Sequence, residues 1–188
     1  MKNTTTQKLA HIAILFVVFF LFGYQYYNAD MLDYTVTQLA RYYHTLFTRD
    51  LVAATDSQIF TPKFFNDILI VALLRLGASW PTALTVIYLV ALLILVSAIV
   101  FIVHRFCSSY RLCVEIIAIT ALCFLIMGHA VGNNTLWSTS LRMQTLSIAI
   151  AIWALFFALS DPPKWWAANG ILCVSALFSV QVALYFFL

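Results

Sequence analysis

PTALTVIYLVALLILVSAIVFIV, residues 81–103, runs for 23 residues without a formal charge. A helix needs about 20 predominantly apolar residues to cross the ~30 Å hydrocarbon layer of a bilayer, so this stretch reads as a transmembrane helix. The rest of the chain agrees with it. Of 188 residues, 64% are apolar and 9% charged. Soluble domains are about half apolar and a quarter charged. Disorder needs low hydrophobicity and high net charge, and both are absent. Four further runs match the first: Leu9 to Tyr27, Leu112 to Val131, Met143 to Ser160 and Trp165 to Leu188. In lipid the backbone must satisfy its own hydrogen bonds, and continuously apolar runs lack the alternation of a barrel. The expected fold class is therefore all-α, a polytopic transmembrane protein of about five spans forming a single domain over residues 1–188.

The first run has a basic start, Lys2 and Lys8, as a secretory signal does. Its apolar core instead continues into Tyr24-Gln25-Tyr26-Tyr27 with no small-x-small cleavage site, so it is expected to be a retained anchor. A sixth apolar stretch, Phe64 to Ala78, has only Ile68 to Leu74 uncharged between Asp67 and Arg75. That is too short to cross and fits a helix lying in the interface. Thr61-Pro62 marks its start and Gly77 its stop, and Pro81 opens the next helix. Trp80, Trp137, Trp165 and Trp166 fall at predicted interfaces. The apolar run at the end reaches Leu188 without a polar flank, and the expectation is an N-terminal part of a longer protein.

Charge sets the expected sidedness. Segments 1–8, 104–111 and 161–164 hold five Lys/Arg in 20 residues, whereas 28–80 and 132–142 hold five in 64. The positive-inside bias places the N-terminus in the cytoplasm and segment 28–80 outside it. The net charge of +3 is dispersed, and no basic run suggests a nucleic-acid partner. Four cysteines show neither a CxxC pair nor metal-ligand spacing.

Five of the seven acidic residues lie between spans one and two: Asp30, Asp33, Asp50, Asp56 and Asp67. A connection of this length with helical periodicity is a small extramembrane module. Residues 31–48 read as an amphipathic helix with Leu32, Val36, Leu39, Tyr43, Leu46 and Phe47 on one side. At ~100° per residue, Asp33, Thr37, Arg41 and His44 fall within about 80° of one another. That polar stripe is expected to face water or a cavity. A purely structural role competes at every acid. Asp30 suits an N-cap and Asp33, three residues later, a capping box. Asp50 and Asp56 suit turns or caps, and Asp67 the first turn of its helix. Glu115 is placed to meet Arg111 four residues earlier, and His129 is an interfacial histidine or a cavity residue.

Asn28-Ala-Asp30-Met-Leu-Asp33-Tyr34, then Ala40-Arg-Tyr-Tyr43, Leu46-Phe-Thr-Arg-Asp50 and Phe60-Thr-Pro-Lys-Phe-Phe65 follow the first anchor. An anchor followed by an acid-bearing loop with membrane-parallel helices resembles the GT-C superfamily of polytopic glycosyltransferases, in their bacterial form. The resemblance covers roughly residues 10–105. It implies transfer of a sugar from a polyprenyl-phosphate donor at the outer face of a bacterial inner membrane, with inversion. Asp30 or Asp33 would take the proton from the acceptor hydroxyl. A carboxylate partly desolvated at an interface is a stronger base than in water. Arg41, His44 and Arg49, with Asp50 beside them, would hold the substrate, because a lipid phosphate needs cations. Some members of the superfamily use a divalent metal, and paired acids alone do not decide the matter. Two other classes compete: a non-enzymatic membrane subunit or assembly factor, and a transporter. The transporter is disfavoured because spans two, four and five contain no formal charge and no internal repeat is evident.

Overall fold

A computed structural model of the chain describes residues 5–23, 30–43, 64–107, 109–127 and 143–179, together with 183 and 186. Among these residues there are seven α-helices and no strand. In chain order they are α1 (Thr5–Gly23), α2 (Asp30–Tyr43), α3 (Phe64–Arg75), α4 (Trp80–Phe106), α5 (Tyr110–Met127), α6 (Met143–Ala158) and α7 (Trp165–Phe178).

The helix ends follow local chemistry. At the end of α3, Gly77 adopts φ +91°, and the Ala78 N–H reaches the Leu73 carbonyl while the Gly77 N–H reaches that of Leu74. This is a Schellman stop, which needs a residue without Cβ strain at positive φ. Two residues later Ser79 caps α4: its Oγ accepts from the Thr82 N–H at 3.3 Å, and Pro81 occupies the first turn. The second predicted span is thereby lengthened at both ends, to 27 residues. At ~1.5 Å per residue it is about 40 Å long. It is long and apolar enough to cross a membrane, while the apolar helices around Thr5–Leu21, Leu146–Ala158 and Trp165–Phe178 are shorter. The interfacial stretch predicted from Phe64 is α3, and residues 30–43 of the predicted amphipathic helix are α2.

α4 is the centre of the molecule. It packs on α1, α3, α5 and α6; α1 also meets α5, α2 lies on α3, and α7 lies against α6 and α3. Leu84, Tyr88, Leu92 and Val96, four apart, are buried, and Leu15 and Phe19 of α1 join the same core. On the opposite side of α4, Val86, Val90 and Leu93 are exposed. Ile14, Val17 and Leu21 on α1 and Ile119 and Leu122 on α5 are exposed likewise. Exposed apolar rows on helices that also bury apolar rows mark a surface for a membrane or for another protein.

Polar side chains turn inward to meet one another. Ser147 of α6 and Ser175 of α7 are fully buried with their Oγ atoms 2.8 Å apart. Each hydroxyl also donates to the other's backbone carbonyl at 2.9 Å. Ala151, Ala154 and Ala168 are buried on the same two helices and let them approach closely. The Trp153 indole N–H donates to the Ile94 carbonyl, midway along α4, at 3.0 Å.

α2 departs from expectation in one respect. Of the stripe expected to face water or a cavity, the described members are turned inward: Thr37 is buried and Arg41 nearly so, as is the neighbouring Gln38, whereas Tyr43 is exposed and Val36 and Leu39 are half-buried. The physical reason is that α3 supplies Asp67 for Arg41 and α4 supplies Trp80 for Gln38. The side chain of Asp33 and the whole of His44 lie outside the described residues.

Candidate functional site

Two polar constellations occupy opposite ends of α4. The first joins α2 and α3 to its beginning. Arg41 Nε lies 3.3 Å from Asp67 Oδ2, and their side chains are 10% and 1% exposed. The guanidinium also stands over the Phe64 ring, 5.2 Å from its centroid. Removing two charges from water is costly, and the pair is tolerated because each ion compensates the other and the ring face adds a cation–π contribution. Gln38 Oε1 accepts the Trp80 indole N–H at 3.0 Å, and the Tyr42 hydroxyl donates to the Leu74 carbonyl at 3.4 Å. These contacts fix the rotation of α2 about its axis and its position on the start of α4.

Within this module the sequence-derived candidates fall as follows. Asp30 and Asp33 belong to the first turn of α2, the end with the positive partial charge of the helix dipole. Nothing further is described of their side chains. Arg41 is engaged by Asp67 inside the module. His44, Arg49 and Asp50 lie outside the described residues. Among the described residues no group of three or more His, Cys, Asp or Glu comes together as a metal-binding cluster.

The second constellation lies at the other end of α4. His11 Nδ1 and His104 Nε2 are 2.9 Å apart, with the two residues 5% and 8% exposed. Tyr110, at the start of α5, stacks on His11 with ring centroids 5.5 Å apart. Among the described residues His104 Nδ1 has no hydrogen-bond partner. A neutral pair in which His104 Nε2 donates to His11 Nδ1 leaves that buried nitrogen a bare acceptor, which costs less than a stranded N–H. Around the pair, Lys8 lies over the Phe101 ring at 5.0 Å, Arg105 donates to the Asp161 carbonyl at 3.4 Å, and Arg111 meets Glu115 at 2.8 Å. Lys8, Arg105, Arg111 and the loop before α7 therefore share one end of the molecule, with α2 and α3 at the other.

Sequence reasoning missed Asp67 as the partner of Arg41, Gln38 as the partner of Trp80, and the histidine pair. A signal existed for half of the last: an ionisable residue inside an apolar run is costly unless partnered, and His11 sits in one, while His104 directly follows the run 81–103. The Arg111–Glu115 contact, four residues apart, is as expected from sequence. No protein-family model matches the chain, and neither curated proteins nor solved structures contain a significant match to it.

Proposed function

We propose that the protein is a polytopic membrane glycosyltransferase-like protein of the GT-C kind, in which α1, α4, α5, α6 and α7 cross the membrane. In this reading the end carrying Lys8, Arg105 and Arg111 faces the cytoplasm, in accord with the positive-inside bias. The α2–α3 module then meets the outer headgroup layer of a bacterial inner membrane. The observation that carries the reading is the fixation of α2: the Arg41–Asp67 pair and the Gln38–Trp80 bond hold the acid-bearing turn in one place on the bundle. General-base catalysis demands such fixation, because a carboxylate must stay within hydrogen-bond reach of the hydroxyl it deprotonates.

Asp30 or Asp33 accepts the proton of the acceptor hydroxyl. The new bond forms at the anomeric carbon as the bond to the polyprenyl phosphate breaks, and the phosphate leaves with the electron pair. His44 and Arg49, near Asp50 in the chain, hold that phosphate, while Arg41 acts through Asp67 to position α2. The test is transfer of labelled sugar by membranes containing the full chain, supplied with a panel of polyprenyl-phosphate hexoses and pentoses. Asp30→Asn or Asp33→Asn is expected to abolish transfer at normal expression and insertion. Full activity of both single variants and of the double variant would remove the carboxylate role.

One observation favours a second reading, a non-enzymatic membrane subunit. A groove of about 490 Å³ between α1 and α4 is lined only by apolar side chains, among them Ile12, Phe16, Leu89 and Leu93. A partner's transmembrane helix would fit that surface. Co-purification of a stable partner, lost on Ala13→Trp and independent of Asp30 and Asp33, would favour the subunit.

A further inference from the structure

The cleft between α6 and α7 has a polar feature that the α1–α4 groove lacks. Its volume is about 280 Å³, at the small end for ligand sites, and Leu155, Ala158, Trp165, Asn169, Leu172 and Phe186 line it. Ala158 belongs to the last turn of α6 and Trp165 to the first turn of α7, so the cleft opens beside the loop 159–164. Asn169 is an exposed amide one turn further along α7, in walls that are otherwise aliphatic and aromatic. Next to the lining Trp165 in the chain, Lys164 is exposed and Trp166 is 93% exposed, and Arg105 is held against the loop 159–164 by its bond to the Asp161 carbonyl. Asp161 contributes an opposing carboxylate, leaving these three groups with one net positive charge.

An apolar slot, an amide one turn along α7 from its first turn and cations at the adjoining loop follow the order of parts in a phospholipid: acyl chain, ester and glycerol region, phosphate headgroup. We infer that this cleft binds a single anionic phospholipid from the leaflet that faces the basic end of the molecule. An acyl chain occupies the slot between α6 and α7. Asn169 hydrogen-bonds the ester region, and Lys164 and Arg105 meet the headgroup phosphate. The exposed Trp165 and Trp166 lie at the depth where indoles favour the interface. Basic recesses between membrane helices on the cytoplasmic side recognise acidic lipids through this combination. The inference rests on the membrane-spanning part of the reading above and not on glycosyl transfer.

The test is native mass spectrometry of the full chain released from nanodiscs containing equal amounts of phosphatidylcholine and phosphatidylglycerol. One retained phosphatidylglycerol per chain is expected, with about fivefold preference over phosphatidylcholine, the effect of one cation near a headgroup. Lys164→Gln, at an exposed site, is expected to reduce that preference at least threefold. Asn169→Leu, also exposed, and Ala158→Leu, which narrows the slot, are expected to lower retention of either lipid. Failure of the chain to enter nanodiscs would overturn the membrane reading itself. Entry with equal retention of both lipids, or a preference untouched by all three substitutions, would overturn the lipid site and leave the membrane reading standing.

Discussion

Asp67 shows how a single residue in this chain is governed by its solvent. With its side chain 1% exposed, its charge has no water to stabilise it and depends on Arg41. Removing one partner of a buried pair leaves the other uncompensated, at a cost of about 3–5 kcal/mol, whereas replacing both with apolar residues is often far less harmful. Arg41→Ala and Asp67→Leu are each expected to lower the midpoint of denaturation in detergent sharply. The Arg41→Met/Asp67→Leu double variant should recover most of the loss. Additive effects of the single changes would show that the two side chains do not act as a pair. Cys107, just past the end of α4, gives a second residue-level expectation. Burial pushes its thiol above the ordinary range, and the neighbouring Cys113 adds to the shift. A raised value means less thiolate at neutral pH, so N-ethylmaleimide should label Cys107 more slowly than a free thiol at pH 7, with the rate rising only above the usual thiol range. Labelling at pH 7 as fast as that of glutathione would contradict this burial.

Among the elements, the contact of α6 with α7 is the most explicit. The mutual bonds of Ser147 and Ser175 join two helices whose apolar surfaces, in the proposed membrane orientation, gain little by leaving lipid. In a double-mutant cycle, Ser147→Ala and Ser175→Ala should show a coupling of about 0.5–1.5 kcal/mol in SDS-driven unfolding followed by tryptophan fluorescence. A coupling near zero would mean that the hydroxyls find equal partners within their own helices. What the sequence made legible at this scale divides by distance along the chain. Helix starts and stops depend on neighbours within a turn, so Gly77 and Pro81 announce the junction between α3 and α4, to which the structure adds the Ser79 cap. The Arg111–Glu115 pair is legible for the same reason. Arg41 and Asp67 lie on different helices, as do His11 and His104. Hydrophobic periodicity shows that α2 has two faces, but the choice of which face turns inward is made by α3 and α4. Hence the placement of Asp30 and Asp33 at the head of α2 could be read in advance, while the burial of Thr37 and Arg41 could not.

For the whole molecule, sidedness is the first property to test. In a cysteine-free background, Leu76→Cys and Pro163→Cys place thiols at exposed positions at opposite ends of α4. In the proposed orientation a membrane-impermeant thiol reagent applied to intact cells labels only the first, and the second reacts after lysis. The reverse pattern would invert the protein and remove the outer-face chemistry. The bond from the Trp153 indole to the Ile94 carbonyl bears on how such a molecule can move. A slip of α6 along α4 by one helical turn, about 5.4 Å, would carry the indole past its acceptor and break the bond. In the proposed membrane orientation, piston-like sliding of these two helices therefore costs this bond. Rocking of the two helices about the Trp153–Ile94 contact, by contrast, would keep this bond.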